Sequence, residues 1–166
     1  MKVSTRAHYG LRAMTELAAA YEHGLMPLGE IARSEQLPLA YLEQLIAELR
    51  RAGLVEGIRG VHGGYRLARH PHQITVGDIY RVLEGPIAPV DCTTEDYLPG
   101  ACAVEDSCVS RSVWSRVRDS IVSVLDSTSL QDLQQEHASA ARPGIIPLET
   151  LRGVGDEHCV TERAHR

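Results

Sequence analysis

The chain has 166 residues, 43% hydrophobic and 23% charged, which suits one ordinary domain or a small domain with an appendage. With no Phe and one Trp, its core must rest on Leu, Ile, Val, Ala and Tyr. A formal net charge of −5 argues against wholesale binding to nucleic acid, but the charge is unevenly placed. Residues 1–80 carry nine basic and eight acidic side chains, and residues 81–166 carry eight and fourteen. From Arg50 to Arg69 there are five arginines and the single acid Glu56, a basic patch that suits a local anionic partner. The opening "MKVSTRAHYGLRAM" lacks the apolar core of a signal peptide, and no run approaches 18 apolar residues. No membrane partner is expected, and the expected location is cytoplasmic.

Ser4 or Thr5 is a good N-cap for a first helix. Ala7, Leu11, Met14, Leu17, Ala18 and Tyr21 recur at steps of three and four, which predicts one buried face. Gly24 and Pro27 then stop the helix. His8 falls off that stripe, as a solvated surface histidine would. "LGEIARSEQL" reads as a short second helix with Leu28, Ile31 and Ala32 inward, and Pro38 bars helix through Leu37. "AYLEQLIAELRRAGLV" is a third helix with Leu42, Leu45, Ile46 and Leu49 inward and Gly53 as its cap. Two short helices joined by a tight turn match a helix-turn-helix, whose second helix enters the major groove. Leu39, Tyr41, Glu43, Gln44 and Arg51 are the DNA-facing candidates there. Glu accepts from a cytosine amino group, and Gln or Arg reads purine edges. A plain solvated helix face shows the same pattern.

Leu54–Ile58 and Tyr65–Ala68 look like two short strands around the glycine-rich tip "RGVHGG", a β-wing behind the helix-turn-helix. Arg59, His62 and Arg66 are its candidates for phosphate or minor-groove contact. "ITVGDIYRVLEGP" is a further helix, with Thr75 and Asp78 as a capping box and Gly85-Pro86 as its stop. "SCVSRSVWSRVRDSIVSVLDS" is a long helix with Val109, Val113, Val117, Ile121, Val124 and Leu125 on one stripe. That narrow seam, with Trp114 alongside, suits packing against a second copy, although packing on its own domain would show the same stripe. "SLQDLQQEH" adds a short terminal helix. From Ala138 the pattern dissolves into a tail that carries Cys159.

Between the fourth and fifth helices lies "DCTTEDYLPGACAVEDSC", with Cys92, Cys102 and Cys108, five acids and no Lys or Arg. Thiols in a reducing compartment are more often metal-binding or catalytic than disulfide-forming. Thiolates suit iron–sulfur clusters, zinc and copper(I), and three are one short of a closed site. The C-x₉-C-x₅-C spacing lacks the tight CxxC knuckles of zinc sites, yet zinc and redox-active or merely buried thiols stay open on spacing alone. No Gly-rich nucleotide loop followed by a helix and no triad-like cluster points to an enzyme, so neither catalysis nor a small-molecule substrate is expected.

The stretches "YGLRAMTELA", "LGEIARSEQLPLAYLEQLIAELRRAGLVEGIRGVHGGYRLAR" and "ITVGDIYRVLEGP", the three-cysteine loop and "VWSRVRDSIVSVLDSTSLQDL" resemble the Rrf-type winged helix-turn-helix regulators. That family includes the iron–sulfur regulators IscR, NsrR and RirA, and the likeness covers about residues 1–136. It implies a mainly α fold with a small β-wing, with a DNA-binding domain over residues 1–85 and a cluster loop over 86–108. A dimerisation helix and short terminal helix follow over 109–136, and residues 137–166, beyond the likeness, are expected from their composition to be a flexible tail. It further implies a homodimer on a double-stranded DNA operator, acting as a repressor that senses redox state, nitric oxide or iron. Cys92, Cys102 and Cys108 carry over as ligands of an iron–sulfur cluster. Two departures stand out. The first cysteine gap holds nine residues where relatives keep five, the extra ones lying around "YLPG". IscR-like proteins also place a ligand histidine three residues after the last cysteine, where this chain has Arg111, whose guanidinium stays protonated. Other relatives take a carboxylate from the other subunit's first helix at the position of His8, and a neutral imidazole is a good iron ligand. His8 is therefore the expected fourth ligand, with Asp91, Glu105, Asp106 or an outside thiol or water as competitors. Loss of the local histidine favours [4Fe–4S] over [2Fe–2S], though an imidazole ligand suits both.

Overall fold

Ser4 opens the first helix, α1 (Thr5–Ala19), its hydroxyl accepting the Ala7 N–H at 3.1 Å and so relieving one of the unpaired first-turn donors. The buried face of α1 is Ala7, Gly10, Ala13, Met14, Leu17 and Ala18. It is rotated slightly from the predicted stripe, so Leu11 and Tyr21 stay half-buried. Gly10 explains the rotation. A Cβ there would lie 2.1 Å from Leu83 Cδ1, so the missing side chain lets α1 and the fourth helix cross closely. The computed structural model describes residues 3–140; the tail beyond residue 140, with Cys159, lies outside the described residues.

α2 (Leu28–Ser34) and α3 (Leu39–Arg51) follow, joined by a turn in which Gln36 takes φ 54° and Leu37 plugs the core. Leu42, Leu45, Ile46 and Leu49 are all buried, as their i, i+3, i+4, i+7 spacing predicts. α3 ends in a Schellman motif. Gly53, at φ 72°, donates to Arg50 O at 3.0 Å, and Leu54 N–H donates back to Leu49 O at 2.9 Å.

Strands β1 (Val55–Ile58) and β2 (Gly64–Leu67) pair antiparallel, with Val55 opposite Leu67 and Ile58 opposite Gly64. Met26 adds a bridge to Tyr65, with both N–H···O bonds at 2.9 Å, which fixes the wing to the body. α4 (Val76–Glu84) opens with the predicted capping box. Thr75 Oγ1 accepts from Asp78 N at 3.0 Å, and the Asp78 carboxylate accepts from Thr75 N at 3.1 Å.

α5 (Arg111–Ser127) and α6 (Leu130–Ala140) complete the described chain. α6 continues through residues 137–140, where Ala and Ser keep the helix tolerable although the apolar pattern has faded. It returns to α1, where Gln134 Nε2 donates to Thr15 O at 2.6 Å, and Leu130 enters the core fully buried. The architecture is mainly α with a small two-stranded β-wing, a winged helix-turn-helix with a long helix beside it. The core draws on α1 to α4, both strands and Leu130, while α5 buries no residue.

Candidate DNA-binding face and cysteine loop

α3 turns Leu39, Glu43, Gln44 and Arg51 to the outside. Tyr41 differs: it is half-buried and packs edge-on against Tyr9, ring centroids 6.2 Å apart, bracing α3 on α1. Pro38 occupies the N-cap of α3 and offers no side-chain bond; its carbonyl accepts from Tyr41 N at 3.1 Å, so the N–H groups of Leu39 and Ala40 at the start of this 13-residue helix are the ones open to an outside acceptor. Arg51 approaches Glu48 at 3.9 Å, and Glu48 also pairs with Arg6 of α1.

The wing tip is tight for a steric reason. A Cβ on Gly63 would lie 2.3 Å from Ile58 O, so only glycine closes this turn. Arg59 and His62 project from the tip, exposed. Between them Val61 is 98% exposed, a residue the sequence reading passed over. Its signal was available: a β-branched apolar residue inside a glycine turn has no strand neighbour to pack against. Arg66 lies further back, where it donates twice to Glu56 Oε2, at 3.0 and 2.8 Å, across the β1–β2 ladder. In the free chain it braces the hairpin.

The cysteine loop spans residues 85–110 between α4 and α5. Its first end is tied down by Arg118, which donates to Thr93 O at 2.9 Å, and by Arg81, which reaches Glu95 at 3.2 Å. Arg81 also donates to both oxygens of Asp126, at 2.6 and 3.0 Å, joining α4 to α5. The second end is organised by Glu105. Its carboxylate accepts from Gly100 N at 2.7 Å and Tyr97 Oη at 3.0 Å and pairs with Arg111, whose guanidinium lies 5.1 Å from the Tyr97 ring centroid. The Gly100 N–H, then Arg111 and Tyr97, hold the Glu105 carboxyl below the usual carboxylate range.

Cys92, Cys102 and Cys108 are free and half-buried. Cys108 Sγ lies 3.4 Å from Ser110 Oγ. The Ser110 hydroxyl, then backbone bonds from Ser110 and Arg111 at the start of α5, lower its thiol pKa. Among the described residues, no group of three or more His, Cys, Asp or Glu side chains is gathered as a metal site. The three thiols therefore share a loop without converging on one point, and His8 does not join them within one chain. Asp91 is exposed, and the side chain of Asp106 lies outside the described residues. His8 is exposed on α1, its ring 5.5 Å from that of Tyr9, at the rim of a cavity of about 320 Å³ between α1, α4 and α5. Leu11, Ile79, Tyr80, Ile121 and Leu125 are among that cavity's lining residues, which are almost wholly apolar.

Residues 3–136 match the model of the family Rrf2, described as an iron-dependent transcriptional regulator. The chain belongs to the Rrf2 family. It is a DNA-binding transcriptional regulator. It is 49% identical over 133 residues to the Bacillus subtilis regulator CymR, covering 80% of this chain and 89% of that one. It is 32% identical over 137 residues to IscR of Aliivibrio salmonicida, covering 82% and 79%. Two solved Rrf2 structures share the fold. The structure of CymR, the global cysteine regulator of B. subtilis, superposes with a TM-score of 0.69 at 47% identity, covering 82% of this chain and 98% of that one. IscR of T. potens gives 0.70 at 44%, covering 86% and 92%. None of the described helices is long and apolar enough to cross a membrane.

Proposed function

We propose that this Rrf2 regulator is a homodimeric repressor that senses redox state, nitric oxide or iron through an iron–sulfur cluster. Cys92, Cys102 and Cys108 are its ligands, with His8 of the partner subunit as the fourth. The observation that carries the reading is the donor set itself: three free, half-buried thiols in one loop, hinged on α4 and α5. Soft thiolates fit such a group, and a set of three leaves one position for an outside ligand. Arg111 stands where a local histidine would complete the set, and its ion pair with Glu105 keeps it charged and unfit as a ligand. When bound, the cluster supplies a group that oxidants, nitric oxide or iron loss can dismantle. [4Fe–4S] remains favoured over [2Fe–2S].

The chain's own residues do the rest. Glu43, Gln44 and the uncapped start of α3 face the major groove, while Arg59 and His62 reach out from the wing to phosphates or the minor groove. Double-stranded DNA is the partner. α5 exposes Val113, Trp114, Val117 and Val124 at 52%, 40%, 37% and 62%, an apolar stripe that a second copy would cover. His8 lies at the rim of the apolar cavity between α1, α4 and α5, and on this reading a second copy approaches that face. A change in the loop that shifted one protomer against the other would alter the spacing of both recognition helices, costing contacts at both half-sites. His8→Ala is expected to change the absorption and reduction behaviour of the anaerobically purified dimer without unfolding it. An unchanged spectrum removes His8 from the ligand set.

A second reading has one observation in its favour. The Ser110 hydroxyl, 3.4 Å from Cys108 Sγ, and backbone bonds at the start of α5 lower the Cys108 thiol pKa, which suits cysteines that act as thiols without a cluster. Zinc is the other form of that reading. A colourless anaerobic protein would decide for it.

A further inference from the structure

Glu105 is a candidate ligand by residue type, and Arg111 occupies the position where a ligand histidine would stand. The structure joins them. Glu105 stands midway between two cysteines and touches both through its backbone: its N–H donates to Cys102 O at 3.1 Å, and its own carbonyl accepts from Cys108 N at 3.4 Å. Arg111 N–H donates in turn to Cys108 O at 3.4 Å. The Glu105 side chain, only 14% exposed, is fully engaged with Gly100, Tyr97 and Arg111. Two of those contacts come from the stretch around "YLPG" that lengthens the first cysteine gap. We infer that Glu105, clamped by Arg111 and Tyr97, is a positioning residue that holds the Cys102–Cys108 turn folded against the start of α5 without a metal.

The chemistry favours an anchor over a ligand. A carboxylate with two hydrogen-bond donors and a guanidinium already on its oxygens has little lone-pair capacity left for a metal. Arg111 cannot lose its proton to free the pair, so the clamp is permanent over the ordinary pH range. The extra residues of the first gap thus have a use. Tyr97 and Gly100 supply the stacking face and the N–H that a shorter loop would lack. Order in this loop then comes from Glu105, and the signal of cluster loss, on the proposed reading of the cysteines, is the loss of ligation rather than the unfolding of the loop.

The test uses the full chain with its metal removed under anaerobic conditions. Amide hydrogen exchange across residues 97–111 and the iodoacetamide alkylation rates of Cys92, Cys102 and Cys108 are compared between wild type, Glu105→Ala, Glu105→Gln, Arg111→Ala and Arg111→Lys. Glu105→Ala and Arg111→Ala are expected to speed exchange and alkylation of Cys102 and Cys108 roughly tenfold, with exchange in α3 unchanged. Arg111→Lys should recover part of the protection, because it restores the charge but not the stacked fork. Exchange and alkylation in Glu105→Ala equal to wild type would overturn the inference. So would a Glu105→Ala effect confined to the absorption spectrum of the cluster-loaded protein, which would make Glu105 a ligand. Iron and sulfide analysis of the wild type is read separately. A wild type that binds neither fails the cluster reading while leaving the metal-free exchange result to judge the clamp.

Discussion

The winged half and the α5 half of this chain are stabilised in different ways. In the first, α1 to α4 and the wing bury a continuous set of Leu, Ile, Met and Val side chains, and Leu42, Leu45 and Leu49 are wholly enclosed. In the second, α5 buries no residue. It is tethered instead by polar contacts: Arg81 to Asp126, Arg118 to Thr93 and the Glu105–Arg111 pair. A half held by burial is stiff and indifferent to its surroundings. A half held by hydrogen bonds and an uncovered apolar stripe can respond to a second copy and to what its cysteines bind. The division suits a DNA-binding regulator, and on the proposed reading the cysteine loop and α5 are its sensing element.

Four perturbations should separate the halves, in falling order of effect. Leu45→Ala empties a fully buried site and should cost the whole fold about 2–5 kcal/mol, seen as a lower midpoint in denaturant unfolding. Val117→Asp puts a charge in the α5 stripe. Sedimentation should show a dimer weakened by roughly 2 kcal/mol, about thirtyfold in Kd, with the melting of the winged half nearly unchanged. Gly77→Ala attacks the seam between the halves. A Cβ there would lie 1.8 Å from Asp126 Oδ1, so α5 must shift off α4 at a cost of about 1–2 kcal/mol, with exchange rising in α5 before α3. Arg59→Ala leaves both halves folded, and should weaken DNA binding and lessen the log–log salt slope by about one.

The same seam has a pH dependence. Hydrogen bonds from Arg81 hold the Asp126 carboxyl below its ordinary value. Such a group stabilises the fold above the ordinary carboxylate pKa and loses that contribution as pH falls through the depressed value. Acid titration should therefore loosen α5 from α4 by at most about 1 kcal/mol, since the pair is partly solvated, and Asp126→Asn should remove that part of the acid response.

Much of the winged half was legible in the sequence because its signals are local. The i, i+3, i+4 spacing of Leu42, Leu45, Ile46 and Leu49, the Thr75–Asp78 capping box and the glycine at the end of α3 each act within one or two turns. What escaped the sequence depends on distant partners. The buried face of α1 turns towards Gly10 only because Leu83, more than seventy residues away, needs the room. Nor does the sequence pattern pair Arg66 with Glu56, which only the β1–β2 register brings opposite it. The cysteine loop was the hardest to read, since no periodicity links Tyr97, Gly100, Glu105 and Arg111. The three thiols alone suggest metal chemistry, whereas the contacts that fold the loop appear only when those four are seen together.

On the proposed reading, Cys92, Cys102 and Cys108 hold an iron–sulfur cluster. Iron and acid-labile sulfide in anaerobically purified protein test it most directly. The protein should be brown, with iron and sulfide in equal amounts, both lost together in Cys102→Ala. A colourless protein, or one that carries zinc and no sulfide, would contradict it.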